Sequence, residues 1–155
     1  GLAVPVRHRG RVGAHLLQLP VTAPFTMAAG RQLWGLPKWL ADGSLDIGSH
    51  GATSRWSVDG RTVLDADLRT SPVRLPGSVP ARLTALAARD GAVLRSRVRG
   101  RARGLRIGLG APARLVAHTP HPLTDDLRAL RQAGRPLLTV GIAHLSFDMD
   151  PAEVT

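Results

Sequence analysis

The sequence predicts a mainly β protein: an antiparallel, barrel-like sheet with short helical insertions. Three observations lead there. Gly (17) and Pro (12) make up roughly a fifth of the 155 residues, against about 12% in an average protein, and this disfavours long helices. Apolar and polar residues alternate in several short runs. Turn pairs such as Asp59-Gly60 separate those runs, with glycine supplying the positive φ a tight hairpin needs. With 43% hydrophobic and 21% charged residues, the chain has the composition of globular material long enough for one domain with its own core. The expectation is a single domain over residues 1–155; its first residue is Gly1 rather than Met, so the chain was either processed or is a fragment. No stretch is apolar for eighteen residues, so no transmembrane helix is expected. The absence of Cys excludes disulfides, thiolate nucleophiles and Cys-ligated zinc.

Residues 3–9 read as a strand, and residues 12–19 as its hairpin partner across Arg9-Gly10-Arg11. Thr22 or Ala23 can cap a helix that has Pro24 in its first turn and runs towards Trp34. Gly35 stops it and Pro37 prevents its resumption, which leaves Lys38 just past a helix end. Three strands follow, over 44–49, 53–58 and 62–69, then a Pro/Gly-rich loop over 71–80. Residues 81–89 are rich in Ala and Leu, with Leu83, Leu86 and Ala87 at helical spacing, so a short helix is expected there. Strands are expected at 92–104, 105–109, 113–117 and 137–147. A helix capped by Thr124 is expected over 124–132, and residues 148–155 read as a tail.

The net charge is +10, yet of the 21 basic residues only Lys38 is a lysine. An Arg-rich chain of this kind reflects biased composition as much as an acidic partner, although the field is real. Arg95, Arg97, Arg99, Arg101 and Arg103 fall at spacing two, so on a strand they share one face. Asp65 and Asp67, on one face of another strand, are their candidate partners. The alternatives are an anion or nucleic-acid site and a solvated or intersubunit face. Nucleic acid is not the expected partner, because no binding motif is present and aromatics are 3%. His118, His121 and His144 lack the spacing and accompanying carboxylates of a metal site, so no metal is expected. No Gly-x-Ser-x-Gly elbow anchors a hydrolase triad, and no phosphate-loop pattern occurs.

Residues 29–41, Ala-Gly-Arg-Gln-Leu-Trp-Gly-Leu-Pro-Lys-Trp-Leu-Ala, resemble the signature of the acetoacetate decarboxylase family. That signature reads Gly-Arg-Glu, a short spacer, often Gly, an apolar residue, then Pro-Lys-Lys. The run from Gly110 through His118, then His121-Pro122 and the final apolar strand, is similar to the family as well. The resemblance implies the family's β fold, homo-oligomers, and Lys38 as the Schiff-base residue. Arg31, Gln32, Trp34, Leu36 and Trp39 are the candidate substrate-binding residues around it. Trp39 stands where the decarboxylases usually carry a second Lys, and Gln32 where they often carry Glu. The catalytic Glu and Arg that the family takes from its N-terminal part have no counterpart in these 155 residues.

The chemistry of Lys38 fits that resemblance. An amine attacks a ketone only when neutral, whereas a free lysine has a pKa near ~10.4. Burial disfavours the ammonium and lowers that value; the family's own lysine is a known case of such activation. Trp34, Leu36, Pro37, Trp39 and Leu40 supply apolar mass beside Lys38 in the chain. The expected function is a lyase of the family acting on a small oxo acid, by decarboxylation or by aldol or dehydration chemistry, with no cofactor, in the cytoplasm and away from membranes. The alternative is a non-catalytic member that keeps the small-molecule pocket.

Overall fold

The computed structural model describes residues 1–109, 114–118, 120–130 and 138–155. Strands β1 (Leu2–His8) and β2 (Arg11–Val21) form a hairpin around Arg9-Gly10. Helix α1 (Pro24–Trp34) follows, then β3 (Lys38–Leu40), β4 (Asp42–Gly48), β5 (Gly51–Val58), β6 (Arg61–Arg69), β7 (Ser78–Arg89) and β8 (Ala92–Leu109). After them come β9 (Arg114–Ala117), α2 (Pro122–Ala129), β10 (Leu138–Met149) and β11 (Glu153–Val154). One sheet has the order β1-β2-β7-β8-β10, with β3 added to β2 and β11 to β8; a second has the order β4-β5-β6-β9. Among the described residues the protein is therefore mainly β, with two short helices, as its composition predicts. Among the described residues the strand order is open rather than closed on itself. The larger sheet is mixed, because β2 pairs in parallel with both β3 and β7.

The chain forms two compact units. The first comprises Gly1–Leu40, Val79–Arg101 and Ser146–Thr155. Its core includes Leu36, Ala85, Leu86, Ala87 and Leu94, all at most 7% exposed. The second comprises Ala41–Ser78 and Ala102–Leu145 and buries Val63, Ala102, Leu123 and Leu127. In it Arg55 lies opposite Asp65 on the β5–β6 ladder, and Asp65 opposite Val116 on β6–β9. Helix α2 buries Leu123, Thr124 and Leu127 on one face.

The three two-residue turns Arg9-Gly10, Asp59-Gly60 and Asp90-Gly91 all have positive φ at both positions, the left-handed geometry that matches the twist of a hairpin. Residues 81–89 are not helical: they belong to strand β7. Ala85, Leu86 and Ala87 are consecutive and all buried, so this strand is covered on both faces there. Such a strand reads as a continuous apolar run, which periodicity cannot distinguish from a buried helix. The strands expected at 92–104 and 105–109 are one strand, β8, which passes through Gly104 at φ 64.

Helix α2 starts earlier than its expected cap. His121 is the N-cap, its Nδ1 accepting from the Leu123 N–H at 3.1 Å, while Thr124 is fully buried and donates its hydroxyl to the His118 carbonyl. Residues 131 and 132 of that expected helix, residue 113 of one expected strand and residue 137 of another lie outside the described residues. The segment 148–155 is not a loose tail, since β11 pairs with β8 through Glu153–Arg95 and Val154–Leu94. No helix among the described residues is long and apolar enough to cross a membrane.

Candidate active site

Helix α1 begins at Pro24, whose missing N–H costs nothing in a first turn. It ends at Gly35, where φ is 62. The Gly35 N–H bonds to the Arg31 carbonyl and the Leu36 N–H to the Gly30 carbonyl, both at 3.1 Å. Arg89 donates through Nη1 to the carbonyls of Arg31 (3.1 Å) and Gln32 (3.3 Å), placing a cation at the negative end of the helix dipole. Pro37 cannot continue the helix; its carbonyl accepts from the Leu19 N–H at 3.1 Å. The chain thereby enters β3 alongside β2, with Lys38 in register with Leu19.

The Lys38 side chain runs back over α1. Its Nζ donates to the Thr26 carbonyl at 3.1 Å, and its own carbonyl accepts from Arg31 Nε at 2.6 Å. It crosses the helix at Gly30, where an added Cβ would sit 2.6 Å from Nζ and closer still to the aliphatic stem. The side chain is half-buried, and this desolvation lowers the pKa of its ammonium from the ordinary lysine value. Among the described residues no carboxylate forms an ion pair with Lys38 to raise it again. The result is an amine whose ammonium form is less favoured than that of a free lysine, held at a fixed point of the fold.

Of the other sequence-predicted residues, Arg31 is brought directly onto Lys38. Gln32 is exposed on α1 and its carbonyl receives Arg89. The Trp34 indole N–H donates to the Asp150 carbonyl at 3.0 Å, Leu36 is buried in the core, and Trp39 lies half-buried opposite Pro20. Sequence reasoning missed Thr26, Arg89 and Asp150, which carry no local signal. It also missed the role of Gly30, although a glycine inside a helical run is itself a mark of close approach.

The β8 arginines alternate as expected, with Arg97, Arg99, Arg101 and Arg103 exposed and Ser96 and Ala102 buried. Their counter-charges are not Asp65 and Asp67. Arg95 pairs with Glu153 at 2.7 Å and Arg99 with Asp150 at 2.6 Å. Asp65 is instead held between Arg55 (2.7 Å) and His118 (3.0 Å), and Asp67 pairs with its strand neighbour Arg69. The hydrogen bond from Arg55, reinforced by that from His118, holds the Asp65 carboxyl below its ordinary range. Among the described residues no three metal-ligating side chains converge.

Lys38 is thus a half-buried lysine that follows a helix-ending Gly-Leu-Pro and opens a strand of a mixed β sheet, and comparison with known proteins gives the family. The family model described as acetoacetate decarboxylase (ADC) matches residues 1–96, and the chain belongs to that family. Solved structures share the fold. An acetoacetate decarboxylase is 19% identical with a TM-score of 0.60, over 100% of this chain and 66% of its own. The acetoacetate decarboxylase of Legionella pneumophila subsp. pneumophila str. Philadelphia 1 is 18% identical with a TM-score of 0.64, over 99% of this chain and 64% of its own. The enduracididine biosynthesis enzyme MppR, in complex with pyruvate, is 17% identical with a TM-score of 0.64, over 98% of this chain and 63% of its own. The chain thus spans somewhat less than two thirds of the length of these structures. A search of curated proteins finds no match.

Proposed function

We propose that this chain carries the Schiff-base lysine of a lyase acting on a small oxo acid, with Lys38 as the nucleophile. The observation that carries the reading is the half-buried Lys38 amine, its pKa lowered by desolvation, lodged over Gly30 at the end of α1. Family membership supports it. So does MppR, solved both with pyruvate and with the condensation product of pyruvate and imidazole 4-carboxaldehyde, which favours an oxo acid and condensation chemistry as the substrate class. The neutral amine attacks the ketone carbon, and the carbinolamine loses water to give an iminium. The iminium nitrogen then accepts the electron pair released by a departing carboxylate, as CO2, or by an adjacent C–H whose proton leaves to a base. The enamine is protonated or adds to an aldehyde, and hydrolysis of the resulting iminium releases the product and restores the amine. Arg31 acts here through the Lys38 carbonyl, Gln32, Trp34 and Trp39 are assigned to the surrounding substrate surface, and Leu36, buried in the core, supports it from behind. No cofactor is called for.

The test is incubation with pyruvate or acetoacetate followed by borohydride reduction and peptide mapping. An adduct is expected on Lys38 and is expected to vanish in Lys38→Arg, because a guanidinium stays protonated. Burial lowers the Gly1 amine as well, so mapping must separate the two. Trapping on the terminal amine alone, in folded protein, would replace the enzyme reading with that of a binding-only member of the fold.

A further inference from the structure

Within the first compact unit, the Lys38 corner is held by hydrogen bonds in series that begin on a distant strand. Arg89 is the last residue of β7. That strand runs parallel to β2 through the pairs Ala85–Ala14 and Leu86–His15, and β3 runs parallel to β2 through Lys38–Leu19. The stem of Arg89 lies beside the end of α1: a Cβ added at Gly35 would sit 3.7 Å from the Arg89 Cβ. Its Nη1 donates to the carbonyls of Arg31 (3.1 Å) and Gln32 (3.3 Å), in the turn where a helix runs out of backbone partners. Arg31 in turn directs Nε to the Lys38 carbonyl at 2.6 Å. Arg89 thus fixes the Arg31 backbone, and the Arg31 side chain fixes the Lys38 backbone.

The helix end is closed and docked without Arg89. The Gly35 and Leu36 N–H groups bond to the Arg31 and Gly30 carbonyls, and the Trp34 indole ties the same turn to the Asp150 carbonyl. The ion pair of Arg89 Nε with Asp90, at 3.8 Å to a carboxylate that is 92% exposed, contributes little. What Arg89 adds is the orientation of the last turn. A small rotation there would move Gly30 and Arg31 together, and with them both the surface that the Lys38 stem crosses and the anchor on its carbonyl.

We propose that Arg89 is a positioning residue for Lys38 and acts through Arg31, the two guanidinium groups in series setting where the Lys38 amine stands. Its consequence for catalysis rests on the Schiff-base reading; the positioning itself does not.

Lys38 is the one lysine of the chain, so labelling with [13C]lysine gives a single Cε resonance whose titration reports this amine directly. Borohydride trapping with pyruvate reports its reactivity. The parent should titrate below the ~10.4 of a free lysine. Arg89→Met keeps the stem and removes the donors. Its titration should move up towards the free value, and trapping at neutral pH should fall by roughly tenfold or more, with little change in thermal stability. Arg31→Met should act likewise, and adding Arg89→Met to it should change nothing further, because the series is already cut. Arg82→Met, exposed on β7 seven residues and roughly 23 Å away at ~3.3 Å per residue, should alter neither signal. Simple repulsion between Arg89 and Lys38 would be screened by salt, whereas the shift expected here persists at high ionic strength. An unchanged titration in Arg89→Met, a shift that vanishes in salt, additive effects of the two substitutions, or an unfolded Arg89→Met would each overturn the proposal. A titration that shifts as described in a protein that traps no pyruvate would instead overturn the Schiff-base reading and leave the positioning role standing.

Discussion

At the scale of single residues, the Lys38 site depends on an absent side chain. Gly30 is buried in a helix, where alanine is ordinarily favoured by about 1 kcal/mol. Here the added methyl would meet the Lys38 stem. The lysine, being flexible at its far end, is the partner that yields. Gly30→Ala is therefore expected to leave stability within about 1 kcal/mol of the parent while cutting imine trapping by up to on the order of 100-fold, the effect of a small misplacement of a reacting group. Denaturant melts and borohydride trapping on the same samples check both halves. The pH profile follows from the same residue. Because desolvation lowers the Lys38 pKa, the neutral fraction, and with it trapping, should rise at a pH below the ~10.4 of a free lysine. Trp39→Lys adds a like charge next to Lys38, which disfavours the ammonium further, so its profile should move to lower pH still. A profile at the free-lysine value in both proteins would show that neither burial nor charge activates the amine.

At the scale of elements, the β5–β6–β9 ladder is clamped on one face by Asp65, between Arg55 and His118. The carboxyl is held below its ordinary value of 3.8, first by the Arg55 hydrogen bond. A carboxyl depressed in the folded state contributes stability that is fully present above its unfolded pKa and is lost as pH falls through the folded one. Asp65→Asn should then be less stable than the parent at neutral pH. The difference should shrink as pH drops below 3.8. Thermal melts of the two proteins between pH 7 and pH 2 would show it; a difference that does not change with pH would mean the Asp65 charge plays no part.

At the scale of the whole molecule, charge and apolar surface oppose each other. Strand β10 ends its sheet among the described residues and carries exposed Leu138, Val140, Ile142, Leu145 and Phe147. An uncovered apolar edge of this kind templates association, while the net charge of +10 resists it. Self-association is the expected outcome, strengthened rather than weakened by salt, because salt screens the repulsion and leaves the apolar contact. Sedimentation should give a mass above 16.4 kDa that rises with ionic strength, and Phe147→Lys should shift it towards the monomer. A monomer at all salt concentrations would contradict this.

Local chemistry alone determined much of this fold. Pro24 and Gly35 bound α1, Gly10, Gly60 and Gly91 place the hairpin turns, and the alternation along β8 sets its exposed arginines, because caps, positive φ and side-chain period each depend on a few adjacent residues. The position of Lys38 just past a helix end was legible for the same reason. Tertiary structure decided the rest. Residues 81–89 satisfy helical spacing equally well, and only burial on both faces, with β2 alongside, makes them a strand. His121 rather than Thr124 caps α2, because the Thr124 hydroxyl is drawn to the His118 carbonyl. Asp150 and Glu153 become the partners of Arg99 and Arg95 across more than fifty residues of chain. The close passage of Lys38 over Gly30 likewise exists only once β3 has been laid beside β2, and no spacing in the sequence encodes a contact that the folded backbone alone creates.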